Sequence, residues 1–334
     1  MTQRESFFAV LTAAGALSMV LAHAQPAQAQ PSADQVLADM GISDADKQRA
    51  LGGEFVTNDV KPVSDRDLSI SIVFLVKASP DALAKEVMSG DLVRDDPQVK
   101  AGGEIKGPGT KADFAGLTIN ADSAAKFAGA QAGQALNLST TEIAAFDALQ
   151  GTAPSAVQPQ LQQMLLARYQ AYQAAGLAGI APYDRGGSTT DSASDLRKAS
   201  DAAAGLKKYL PSFQKVLVSY PNATVAGMSQ KTSWVEYDID GVTTYVLSHR
   251  LIAPDGDARA VVQRQYYVST GYNAEQAVAA FLPVEAGTLV VYTNHTFTDQ
   301  VAGFGGSAKR SIGRRMMEGK LQAMFDRERK DVAH

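Results

Sequence analysis

Two histidines, one aspartate and a glycine-rich turn are the residues of this chain whose types and spacing could do chemistry. His249 and His295 lie in separate runs where apolar and polar residues alternate, the pattern of half-buried strands. Arg250, Arg264 and Asp299 are their possible neighbours. Two imidazoles and a carboxylate bind zinc or run acid–base chemistry when a fold brings them together. Neither histidine has a partner at H-x-H or H-E-x-x-H spacing, so no metal ligand set is assigned. Gly303-Phe-Gly-Gly306 leads into Ser307-Ala-Lys309-Arg310 ahead of an apolar stripe. Free backbone N–H groups at Gly305 and Gly306, with cations at Lys309 and Arg310, would suit an anion at a helix start. The competing reading is a plain turn before a solvated basic face, and the spacing fits neither a phosphate-binding loop nor a dinucleotide fingerprint.

Tyr266-Tyr267 and Arg264 share one strand, where alternate residues face opposite sides. One tyrosine therefore points inward, and Arg264 with Tyr266 could bind a polar ligand head. No G-x-S-x-G elbow is present, which removes the commonest serine-hydrolase route. The carboxylate pairs Asp238/Asp240 and Asp255/Asp257 sit at expected hairpin tips, where turn chemistry accounts for them. The chain has no cysteine, which excludes disulfides, thiol catalysis and thiolate metal sites. No cofactor is expected.

These candidates need strands and helices to hold them. Residues 1–29 read as a signal peptide: Arg4, the charge-free run Phe7–Ala22, then small-residue cleavage sites at Ala22-His-Ala24 and Ala27-Gln-Ala29. That run is short for a membrane span, so the expectation is a bacterial periplasmic or secreted protein with no transmembrane anchor after cleavage. A net charge of −4 argues against nucleic acid as a partner. Residues 30–42 read as a disordered leader and 43–120 as the first part of an α+β domain. Within the latter, Leu68–Val76 is the clearest strand, and Ser79-Pro-Asp81 starts a helix ending near Ser89. Residues 101–111 read as a loop and Ala112–Ile119 as a strand.

Residues 121–210 are rich in Ala, Gln and Ser at helical spacing and read as an insertion. Ser139-Thr-Thr-Glu142 is a capping box, and Leu161, Met164, Leu165, Tyr169 and Tyr172 form one apolar stripe. Residues 211–330 read as antiparallel strands plus a final helix. Phe213–Tyr220 is expected as a strand and Asn273–Phe281 as a short helix or loop. Asp240-Gly241 predicts a tight hairpin.

Strand, Ser-Pro cap, short helix, insertion, antiparallel meander and one long final helix: this order resembles the START-like helix-grip superfamily. The stretches that carry it are Leu68–Ser89 and Ser233–Arg329. The resemblance implies a curved antiparallel sheet packed on a long C-terminal helix, with a lipid or other apolar molecule between them. Three functions follow as expectations. The first is an exported, non-catalytic binder of a lipid-like molecule, with ligand contacts from Arg264, Tyr266, His295, Asp299, Gly305, Gly306, Lys309 and Arg310. The second is a cell-envelope enzyme using His249, His295 and Asp299. The third is an envelope assembly protein that docks a partner through the helices of 121–210.

Overall fold

The computed structural model describes residues 32–89, 96–133, 135–239, 241–303 and 305–332. The expected signal peptide, 1–29, lies outside the described residues. The fold is α+β, built on one antiparallel sheet of eight strands. In chain order these are β1 (Val56–Asn58), β2 (Asp67–Val76), β3 (Val99–Ile105), β6 (Ser229–Ile239), β7 (Val242–Asp255), β8 (Ala258–Val268), β9 (Ala274–Val284) and β10 (Gly287–Phe297). The spatial order is β1-β2-β10-β9-β8-β7-β6-β3. β6 to β10 form a meander, while β2 and β3 come from before the helical block and close on its two sides. A small separate hairpin joins β4 (Tyr183–Asp184) and β5 (Thr189–Thr190).

Alternation along each strand gives the sheet two different faces. One face carries His249, Arg264, Gln276, Val278, Val291 and His295. Most of the helices cover it: α1 (Ala33–Asp39), α2 (Asp44–Leu51), α4 (Ala121–Ala128), α5 (Thr140–Asp147), α6 (Pro154–Ala175), α7 (Ser192–Ala202) and α8 (Pro211–Ser219). Two large apolar clusters lie there, one around Phe114, Phe146, Leu165 and Trp234, the other around Leu37, Phe213, Leu217 and Leu251. The helices of 121–210 therefore share a core with the sheet. The opposite face carries Ile70, Ile72, Phe74, Ile252, Val261, Phe281 and Val290, and packs against α3 (Pro80–Ser89) and the final helix α9 (Gly306–Val332).

Local chemistry explains most of these elements. The Ser139 hydroxyl accepts from the Glu142 N–H while Glu142 accepts from the Ser139 N–H, the reciprocal cap that starts α5. The Glu142 carboxylate also pairs in bidentate fashion with buried Arg168 on α6, at 2.7 and 2.6 Å, which locks the two helices together. Gly176 ends α6 at φ +58°, and a Cβ there would meet the Tyr220 carbonyl oxygen at 2.1 Å.

Five expectations change. Residues 33–39 form a helix in the expected leader, because Val36 and Leu37 are buried against the sheet's helical cover. Phe213–Tyr220 is helical: Pro211 suits a first turn, and Phe213, Val216 and Leu217 bury at helical spacing. Asn273–Phe281 is mostly strand β9, in which Glu275, Ala277 and Ala279 face one side and Gln276, Val278 and Ala280 the other. The expected loop at 101–111 contains β3, and Ala112–Ile119 holds a 3-10 turn, Lys111–Phe114, in place of a strand. Gly103 belongs in β3 because a Cβ there would lie 2.7 Å from the Trp234 indole nitrogen.

Candidate functional site

The sequence candidates fall on the helix-covered face or at the sheet's end. Arg264 is buried on β8 and donates only to neutral acceptors: Gln276 Oε1 at 2.9 and 2.8 Å, Ser200 Oγ, the Leu217 carbonyl and the Tyr172 hydroxyl. Tyr266 stacks on Tyr172 with ring centroids 4.0 Å apart. His249 accepts from the Tyr172 hydroxyl at Nδ1, 3.0 Å, and donates from Nε2 to Gln230 Oε1, 2.9 Å. Burial, helped by the Arg264 charge, pushes its pKa down to about 3. It is a neutral core histidine with both nitrogens engaged.

His295 lies on β10, three strands from β7, or roughly 14 Å from His249 at ordinary strand spacing. Its Nδ1 meets Asp67 Oδ2 at 2.9 Å, and the same oxygen accepts the Val63 N–H. Asp299 is elsewhere again, in a 3-10 turn after β10, where Arg185 Nε reaches it at 3.0 Å and Thr190 at 3.4 Å. The envisaged His249/His295/Asp299 set is not brought together. Gly305, at φ +74°, and Gly306 open α9. Lys309 is exposed, while Arg310 donates to the Asp65 and Val301 carbonyls. Among the described residues no cluster of three His, Asp or Glu side chains could hold a metal.

A site that the sequence candidates miss lies on the other face. Between the sheet and helices α3 and α9 is a cavity of about 510 Å³. Its floor follows the register across β8, β9 and β10: Val261 opposite Ala279 opposite Tyr292, then Gln263 opposite Ala277 opposite Asn294. Ala277 and Ala279 leave the space, since larger side chains there would fill it. Its roof is Val87 of α3 and Met316, Met317 and Leu321 of α9. The helix is seated close to β2 at Gly313, where a Cβ would come 3.1 Å from the Leu68 side chain. The Glu318 side chain, accepting from Thr57, and the Arg314–Asp59 ion pair tie α9 to β1 and the residues after it.

The cavity is apolar at one end and polar at the other. Phe281 and Val290 lie at the first end, and Arg250, Gln263, Gln265 and Glu275 at the second. Burial pushes the Glu275 carboxyl above the usual carboxylate range, against hydrogen bonds from Thr296 and Asn294. Burial likewise pulls Arg250 below the ordinary arginine value. The sequence signal for this site was present but faint: polar Gln263 and Gln265 occupy alternate positions in a strand that is otherwise rich in apolar residues. Arg250 reads from sequence only as a neighbour of His249, and the alternation puts it on the opposite face.

A second cleft, of about 400 Å³, is lined by His295 together with Ser71, Thr293, Lys61 and several apolar residues of α1 and α7. Comparison with family models, with curated proteins and with solved structures finds no match.

Proposed function

We propose that the protein is an exported, non-catalytic carrier of an apolar or amphipathic small molecule, held between the sheet and a long C-terminal helix. The observation that carries this reading is the cavity of about 510 Å³ beneath α9, with an apolar floor and one polar end. Its size and lining are those of a small-molecule site, in which apolar area supplies affinity and a few polar groups set orientation. Support also comes from the order of elements, which resembles the helix-grip arrangement of the START-like superfamily. Export rests on the N-terminal segment of the sequence. No described helix is long and apolar enough to cross a membrane.

The test is native mass spectrometry of the mature protein purified from its own envelope, followed by organic extraction. A reproducible adduct, released as a lipid-like molecule, is the expected result. A bare mass with nothing in the extract would overturn the reading.

An envelope hydrolase is the second reading, and one observation favours it. His295 is buried, oriented by Asp67, and borders the cleft of about 400 Å³. A carboxylate that fixes an imidazole in this way prepares its other nitrogen as a general base toward water. Turnover of p-nitrophenyl esters that disappears in His295→Gln is the outcome this reading requires, and no turnover by the unaltered protein removes it. The docking reading draws no support from the helical block. Among the described residues the exposed large apolar side chains are Val218, Val242, Ile312 and Met316, all outside 121–210.

A further inference from the structure

We propose that the occupant of the cavity under α9 is a long-chain amphiphile with a singly charged anionic head, of the fatty carboxylate class, its head on Arg250. This rests on the carrier reading and names the ligand class of the same site.

Arg250 is a buried cation on β7. Only 9% of the residue is exposed, yet among the described residues it forms no ion pair. Its Nε and Nη2 donate to Gln263 Oε1 at 3.2 and 2.7 Å, and Nη1 donates to the Val87 carbonyl at 2.7 Å. These acceptors are neutral and leave the second hydrogens of Nη1 and Nη2 unspent. A buried cation held only by neutral groups keeps much of its desolvation cost, and an anion placed against it offsets that cost. The bonds to Gln263 and Val87 also fix the guanidinium plane, so the fork is set in advance for a carboxylate.

Arg250 also stands beside open volume. Arg250 lines the cavity under α9 and also an adjoining chamber of about 310 Å³, which shares Tyr237, Gln263 and Gln265 with it. The charge therefore borders open volume on two sides and is not packed into core. No other described arginine or lysine lines the cavity.

The remainder of the cavity is long and bears carboxyl groups. From Glu275 to Phe281 the floor runs along seven residues of one strand, about 20 Å, room for an extended acyl chain. Glu275 lies at the polar end, two strands from Arg250, with Gln265 Nε2 donating to it at 3.4 Å and Thr296 Oγ1 at 3.2 Å. Asp96 lines the cavity as well, so a doubly charged phosphate head would bring its second negative charge into a space that already holds two carboxyl groups and one described cation. A carboxylate head needs one cation, and one is present. Lys309 and Arg310, the cations singled out from sequence, are outside this cavity.

The experiment compares palmitate with methyl palmitate, which has the same chain and no charge, on the full mature chain by displacement of a fluorescent apolar probe. The inference predicts that palmitate binds about tenfold or more tightly than the ester, the scale of a buried charge-assisted hydrogen-bond pair. In Arg250→Gln the preference should collapse while the ester still binds. Equal affinity for acid and ester on the unaltered protein would overturn the anionic head and leave the carrier reading in place. Failure of both to bind would overturn the carrier reading and this inference with it. Because the first comparison needs no substitution, it stands even where Arg250→Gln fails to fold.

Discussion

Both ring nitrogens of His249 are spent within the core, on Tyr172 and Gln230, and this makes it a stability element with a pH signature. Its folded pKa, about 3, lies below the unfolded value of 6.5, so the unfolded chain binds the proton more readily. The contribution is fully present above about pH 6.5 and is lost as pH falls toward about 3, at up to about 1.4 kcal/mol per pH unit. Urea unfolding midpoints across that window should fall less steeply for His249→Gln than for the unaltered protein. Parallel curves would contradict the assignment. The buried carboxyls with raised pKa values, Asp195, Glu236 and Glu275, act in the opposite direction but are common to both proteins and cancel in the comparison. Residue type alone marked His249 and His295 as equals. What separates them is their surroundings, a closed hydrogen-bonded core for one and an Asp67-bound ring bordering a cleft for the other.

At the scale of elements, legibility followed the strength of the local signal. Strand β2, the Pro80 helix, the capping box at Ser139 and the meander from β6 to β8 are readable because alternation, capping residues and tight turns agree there. The Ile239↔Val242 and Asp255↔Ala258 registers give the short turns that Gly241 and Gly256 suit, at φ +80° and +60°. Phe213–Tyr220 misled because Val and Phe favour strands, while burial of Phe213, Val216 and Leu217 on one side decided for helix. β9 misled in the other direction. Its alanines carry weak strand preference, and tertiary pairing with β8 and β10 overrides it. The same alanines are the floor of the cavity, so the feature that hid the strand also hid the site. Gly102 and Gly103 looked like a loop because their fit beneath Trp234 is a long-range contact with no local trace.

For the molecule as a whole, the sheet divides the work between its two faces. One face is covered by helices α1, α2 and α4 to α8, holds the large aromatic core and opens at the cleft beside His295. Among the described residues the other is covered by only α3 and α9, and its smaller cluster leaves room between Ala277, Ala279 and Met317. The candidates chosen from sequence, Arg264, Tyr266 and His295, belong to the helix-covered face, while Arg250, Gln263 and Glu275 line the cavity under α9. A single register step separates the two sets, because neighbouring residues on a strand face opposite ways. The measurement that tests the ligand-holding cavity most directly is binding of N-phenylnaphthylamine to Ala279→Trp, judged against the unaltered protein at equal thermal stability. Ala279 faces the open volume, so the indole should occupy the site without crowding the core, and probe binding should be lost. Undiminished binding by a folded Ala279→Trp protein would place the ligand elsewhere and contradict the account.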